Sequence, residues 1–260
     1  MTAWTLTGLV LCAALAAGAF ILFRRARELE RVLTASNQRL EQLQRQFERF
    51  VPGDVVERLT DERGSYLAHR RQVTMLFADL RGFTALCDRL DPAVTITILN
   101  GYFQRMSHAI ATHHGHLTEL VGDGLLALFG ALEPNPWQGR DSVCAALAMR
   151  AALESYNTQL REQGLPELSF GIGIHGGEVV CGVMGAGELS KFSVTGDAIN
   201  VASRVEGLTR EHGVDLLITE EIRCTLDARF RLRPMPASYV KGKVGPIQTY
   251  YVEGNDTRTT

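Results

Sequence analysis

Two stretches decide how this chain reads: Met75-Leu76-Phe77-Ala78-Asp79-Leu80-Arg81-Gly82-Phe83-Thr84 and Glu119-Leu120-Val121-Gly122-Asp123-Gly124-Leu125-Leu126-Ala127-Leu128-Phe129. Each is an apolar run that meets an aspartate close to a glycine. Such a run reads as a buried strand. Glycine beside a carboxylate at a strand end lets a bulky ligand approach the backbone. One such aspartate could equally cap a helix or fill a turn. Two of them brought together could hold divalent cations through hard oxygen ligands and leave positions open for phosphates.

Working outward, the 260 residues are 45% hydrophobic and 22% charged, which is globular material for one good domain plus extras. A net charge of -2 and a pI near 6.4 leave no electrostatic footprint for nucleic acid. The cysteines (Cys12, Cys87, Cys144, Cys181 and Cys224) are scattered without a C-x-x-C pair, which fits reduced thiols rather than a disulfide framework.

Ala3 to Phe23 carries no charge and is long enough to span a bilayer. Arg24, Arg25 and Arg27 follow, and nothing basic precedes. A cleaved signal places its positive charge first, so the run reads as a retained anchor. The arginines put everything after them on the cytoplasmic side. The expectation is a single-pass protein of the inner (cell) membrane. Leu29, Leu33, Ser36, Leu40, Leu43, Phe47 and Phe50 then alternate in steps of four and three, the signature of a coiled-coil seam. Pro52-Gly53 ends that helix. The expected organisation is a transmembrane anchor over 1–23, a coiled-coil or signalling helix over 24–51, a linker over 52–71, a catalytic domain over 72–253 and a tail over 254–260.

Within the domain, strands are expected at Gln72–Asp79, Leu117–Val121, Leu125–Phe129, Leu168–His175, Glu178–Val183, Val214–Thr219 and Gln248–Val252. Gly122-Asp123-Gly124 forms a hairpin turn, and Gly176-Gly177 joins the fourth strand to the fifth. Gln248–Val252 is expected to close the sheet. Helices are expected at Pro92–His113, where Asp91-Pro92 marks the start, at Arg140–Gln163 and at Ala198–His212. Helices alternating with strands, interrupted by a hairpin, indicate a mixed or antiparallel sheet with helices packed on it.

A third motif is Ser193-Val194-Thr195-Gly196-Asp197-Ala198-Ile199-Asn200-Val201-Ala202-Ser203-Arg204. Asn200 and Arg204 lie four apart and share one helical face. A fixed arginine suits charge developing on a phosphate, and an asparagine amide can orient an attacking group.

Together, Phe77-x-Asp79-x-x-Gly82-Phe83-Thr84, Gly122-Asp123-Gly124 and Asn200-x-x-x-Arg204 resemble the catalytic motifs of class III adenylate/guanylate (nucleotidyl) cyclases, of the bacterial membrane-anchored type. The resemblance implies an α/β sandwich with a ferredoxin-like β-α-β-β-α-β core, working as a head-to-tail homodimer with active sites at the interface. It implies that Asp79 and Asp123, with the Leu80 backbone, hold two Mg²⁺ or Mn²⁺ ions per site. Gly82, Phe83 and Thr84 would cradle the phosphates, and Lys241 would grip their far end. Asn200 and Arg204 would come from the other protomer, the first orienting the ribose and the second stabilising charge on the α-phosphate.

By the same resemblance Glu119 and Ser193 occupy the base-reading positions. A carboxylate only accepts hydrogen bonds, which matches the adjacent N1–H and N2–H donors of guanine better than adenine. Most bacterial members, however, are adenylate cyclases. The expected reaction is therefore ATP to cyclic AMP and diphosphate. GTP to cyclic GMP is the alternative, and an inactive nucleotide-binding signalling module is the other. A diguanylate cyclase would need a Gly-Gly-(Asp/Glu)-Glu-Phe hairpin, which this turn lacks.

Overall fold

The computed structural model describes residues 68–184, 191–239 and 245–256. The expected anchor and coiled coil lie outside these residues, as does nearly all of the linker. Among the described residues no helix is long and apolar enough to cross a membrane.

The elements follow one another as β1 (His69–Leu80), α1 (Phe83–Cys87), α2 (Pro92–Thr112), β2 (Gly115–Val121), β3 (Gly124–Phe129), α3 (Gln138–Glu162) and β4 (Phe170–Met184). Then come β5 (Lys191–Thr195), α4 (Asp197–His212), β6 (Leu216–Thr219), α5 (Glu220–Arg223), β7 (Phe230–Pro234), β8 (Ser238–Tyr239), β9 (Pro246–Ile247) and β10 (Thr249–Asn255). The sheet runs β2-β3-β1-β4-β6-β10-β7, with β5 pairing on β4, and β8 pairs with β9 apart from it. The order β2-β3-β1-β4, all antiparallel and built with α2 and α3, is the expected β-α-β-β-α-β core. The pairing of β4 with β6 is parallel, because α4 carries the chain back across the sheet between them.

β1 organises both faces of the sheet. Leu76, Ala78 and Leu80 point into the main core beneath α2 and α3. Val73 and Met75, with Phe77 beside them, join a second cluster with Leu126, Leu128, Val194, Ala198 and Ala202. Strand alternation therefore puts Asp79 on the second face, the one α4 covers. Helix α2 starts where Asp91-Pro92 predicted: the Asp91 carboxylate accepts from the Ala93 N–H at 2.8 Å, and Pro92 occupies the first turn.

Four expectations are corrected. The linker ends earlier, because His69, Arg70 and Arg71 already pair with Cys181, Val180 and Val179. The chain does not turn at Gly176-Gly177; β4 is continuous there, and the two glycines pair with Thr74 and Val73 of β1. Those glycines serve packing, since a β-carbon on Gly177 would fall 2.6 Å from the Ala198 β-carbon on α4. The last strand does not close the sheet. β10 lies between β6 and β7, and the edge strand is β7, which alternation alone does not announce. Finally, Gly254 and Asn255 belong to β10 rather than to a tail.

Candidate active site

The two decisive aspartates meet. Asp79 is the next-to-last residue of β1, opposite Gly171 of β4, and Asp123 sits in the two-residue turn that closes β2 onto β3 at the Val121–Gly124 pair. Gly122 makes that turn possible at φ 64°. On its other side, Gly124 leaves room for the Asp79 carboxylate: a β-carbon there would lie 3.0 Å from Asp79 Oδ1. Burial raises the Asp79 carboxyl above its ordinary value, and the Asp123 charge raises it further. The Arg210 charge and the Leu80 N–H, which donates to the carboxylate, act in the opposite direction. A hard dication between two such carboxylates would relieve both their burial and their mutual repulsion, so the donor chemistry fits Mg²⁺ or Mn²⁺. Among the described residues no group of three or more histidine, cysteine or acidic side chains is arranged to hold a metal.

Just past Asp79 the chain turns tightly. Gly82 adopts φ 66°, ψ 17° and precedes α1 without any side-chain cap. The first amides of that turn, at Phe83 and Thr84, therefore gain no partner from a capping side chain. The Phe83 ring is buried in the main core and pins the turn. Arg81 anchors it from behind, with its backbone N–H donating to the Ser169 carbonyl at 2.8 Å and its guanidinium to the Val214 carbonyl.

Glu119 reaches the site face through an irregularity. The β2–β3 register pairs Leu117 with Ala127 but Glu119 with Leu126, so Thr118 is an extra residue, a β-bulge. Leu126 belongs to the second cluster and Ala127 to the main core. Cross-strand partners share a face. The bulge thus brings Glu119 to the face that carries Asp79. Ser193 lies on β5 opposite Gly182 of β4, so β3, β1 and β4 separate it from Glu119 within one chain.

Asn200 and Arg204 form one stripe on α4. Asn200 is exposed, and the Arg204 Nη1 is buried without a hydrogen-bond partner among the described residues. The α4 cation whose charge lowers the Asp79 carboxyl is Arg210, farther along the same helix. Lys241 lies outside the described residues.

Sequence reading missed three residues around the aspartates. Glu206 on α4 is held near pKa 7 by burial and then by the Asp79 charge, against Arg210 and Arg81. Tyr102 of α2 is fully buried, and its hydroxyl has no hydrogen-bond partner among the described residues. Burial, then the charges of Asp79, Asp123 and Glu206, push its ionisation upward. Arg81 is the third. The available signal was Gly171-Ile172-Gly173, a glycine pair that lets α4 lie close to β4 and brings Glu206 to the site.

Residues 66–254 match the adenylate and guanylate cyclase catalytic domain family. The chain belongs to the class III adenylate/guanylate cyclase family. An adenylate cyclase of Anabaena cylindrica is 35% identical over 237 residues, which is 87% of this chain and 46% of that protein. Adenylate cyclase 1 of Rhizobium meliloti is 30% identical over 80% of this chain and 32% of its own length. This cyclase-family chain thus spans less than half the length of these relatives. Among solved structures, the guanylyl cyclase Cya2 superposes with a TM-score of 0.69 at 32% identity, covering 74% of this chain and 96% of that one.

Proposed function

We propose that this chain is a nucleoside triphosphate cyclase that converts ATP to 3',5'-cyclic AMP and diphosphate, as a homodimer with its sites between protomers. The observation that carries this reading is the split of the chemistry in one chain. Asp79 and Asp123 lie close enough for their charges to interact, whereas the buried Arg204 Nη1 has no hydrogen-bond partner among the described residues and the α4 cation whose charge acts on Asp79 is Arg210. A stripe bearing Asn200 and Arg204 that does not serve its own aspartates is suited to a partner's.

In the mechanism we derive, Asp79 and Asp123, with the Leu80 backbone, would hold two Mg²⁺ or Mn²⁺ ions. When bound, the ions supply Lewis acidity toward the ribose 3'-hydroxyl and charge neutralisation for the triphosphate. The amides of Gly82, Phe83 and Thr84 orient the β- and γ-phosphates, and Lys241 adds a cation at their end. Asn200 of the partner holds the ribose so that its 3'-oxygen faces the α-phosphorus. The O3'–Pα bond forms, the bond from Pα to the bridging oxygen breaks, diphosphate leaves, and the hydroxyl proton passes to solvent. Arg204 of the partner neutralises charge that grows on the α-phosphate oxygens. Attack within one molecule needs positioning and charge compensation more than a strong base.

The Anabaena cylindrica and Rhizobium meliloti relatives are adenylate cyclases, which supports ATP. A second reading has its own observation. The bulge at Thr118 sets the Glu119 carboxylate on the site face, where it would accept from guanine N1–H and N2–H, and this supports GTP. Ala3 to Phe23 and the arginines after it support an inner-membrane anchor with the catalytic domain in the cytoplasm.

The test is turnover of ATP, GTP, CTP and UTP by the full chain with Mn²⁺ or Mg²⁺, reading cyclic products by mass. Cyclic AMP as the main product supports the reading, and cyclic GMP moves the assignment to the second. No product from any of the four, with the dimer intact, would leave a nucleotide-binding signalling module.

A further inference from the structure

A cavity of about 590 Å³ lies between the starts of α3 and α4, beside the first half of β1. Its β1 wall ends at Thr74, five residues before Asp79. At about 3.3 Å per strand residue, that is about 16 Å along the strand. None of the residues assigned to turnover above lines it.

His175 of β4 lines this cavity and is only 4% exposed. Its Nδ1 meets Thr219 Oγ1 at 2.9 Å and Glu221 Oε2 at 3.5 Å, and Thr219 hydrogen-bonds the same carboxylate. An ionised carboxylate only accepts, so the Thr219 hydroxyl donates to Glu221 and its oxygen accepts from Nδ1–H. That fixes the tautomer of the neutral ring and leaves a lone pair on Nε2. Nε2 lies beside Gly177, another wall residue, where a β-carbon would sit 3.5 Å from it.

The rest of the described wall favours a ligand that donates. Gln138 Oε1 is buried and has no hydrogen-bond partner among the described residues. Two of the wall's donors are already used: Gln138 Nε2 donates to the Gln72 carbonyl at 3.2 Å, and Thr225 Oγ1 to the Ile222 carbonyl at 2.7 Å. Glu178 and Glu221 bring carboxylates, and no lysine or arginine is among the described lining residues. Glu178 pairs with Arg70 at 2.7 Å, but both side chains are more than half exposed, so the pair is weakly held. The two helix starts act the other way, each with about half a positive charge. Asp141 and Asp197 already stand in their first turns, so a whole carboxylate charge outweighs what remains.

We propose that this cavity is a second binding site, for a small organic cation that carries N–H donors, a primary ammonium or a guanidinium. One N–H donates to His175 Nε2, and the positive charge rests beside Glu221 and Glu178. The site does not depend on the reaction proposed above.

The test is calorimetric titration of the full chain with n-butylammonium and n-butylguanidinium. Beside them run n-butyltrimethylammonium, which has the charge but no N–H, and butyrate, which has the opposite charge. The two N–H cations should bind about tenfold more tightly than butyltrimethylammonium, and butyrate should not compete with them. Glu221→Gln should weaken butylammonium about fivefold. Gly176→Ala tests position without changing charge. Its β-carbon would lie 3.2 Å from Ile222 Cδ1 and 3.8 Å from Thr74 Oγ1, at the cavity wall, and should weaken binding about threefold. Glu167→Gln, in an exposed pair with Arg161, should change nothing. Circular dichroism checks that each variant is folded. Absence of binding by both N–H cations, equal binding of butyltrimethylammonium or a preference for butyrate overturns the proposal. So does parent-like binding in both Glu221→Gln and Gly176→Ala, or an equal loss in Glu167→Gln, since the cation then sits elsewhere on the surface.

Discussion

The Asp79 carboxylate occupies the space that a side chain at Gly124 would need, with Oδ1 lying 3.0 Å from the point a β-carbon on Gly124 would occupy. The hairpin glycine is thus part of the shape of the aspartate site. Gly124→Ala should keep the fold, since Gly124 is not in the left-handed region, yet displace the carboxylate. Turnover should drop about tenfold, with weaker Mn²⁺ binding. Unchanged Mn²⁺ affinity would show that the carboxylate does not depend on that space.

Asp79→Ala and Asp123→Ala remove the donor pair itself. Each should cut metal-dependent turnover by about a thousandfold while leaving the dimer intact. Sedimentation with a turnover assay checks both halves, and full activity in either variant removes the two-aspartate assignment.

Asn200→Ala and Arg204→Ala act on the transition state in our reading. Both should lower kcat by about a hundredfold or more and move KM little. A change in KM alone would assign them to substrate binding instead.

Glu119→Lys converts an acceptor into a donor at the bulge. If the side chain reads the base, the variant should shift the GTP-to-ATP ratio of kcat/KM toward ATP by about tenfold or more. An unaltered ratio would place base selection elsewhere.

Glu221 offers a pH prediction far from the aspartates. It lies 3.5 Å from Nδ1 of buried His175, which also meets Thr219 Oγ1 at 2.9 Å. The His175 hydrogen bond pulls the Glu221 carboxyl down to about 2 from the ordinary 4.5. A depressed carboxyl stabilises the fold above its unfolded value, and that contribution disappears as pH falls from 4.5 toward 2. Glu221 is about half exposed, so the effect is modest: Glu221→Gln should lower Tm by about 1–2 °C at pH 7 and by nothing near pH 2. Calorimetry at both values checks the sign.

The position of the two candidate aspartates was legible because carboxylates stand out on apolar strands. Asp79 and Asp123 stood out as carboxylates on apolar strands beside glycine, and both lie where that pattern placed them. Asp91-Pro92 announced α2 through local capping. Gly176-Gly177 misled because glycine there answers to α4, packed from a distant part of the chain, and not to a local turn. Glu206 and Arg210 escaped notice for a similar reason. On a helix they look like solvated charges, and it is the close seating of α4 on Gly171 that brings the Glu206 carboxylate beside the strand partner of Asp79. β7 and the place of β10 depend on strand pairing between distant segments, which short-range alternation does not encode.

The Thr118 bulge has an evolutionary consequence. It lies on β2, the outermost strand of the sheet on its side, so Glu119 can be exchanged by drift without disturbing the layers beneath α2 and α3. If Glu119 reads the base, as proposed, a lineage built on this scaffold could change which nucleobase it accepts while inheriting its phosphate chemistry intact.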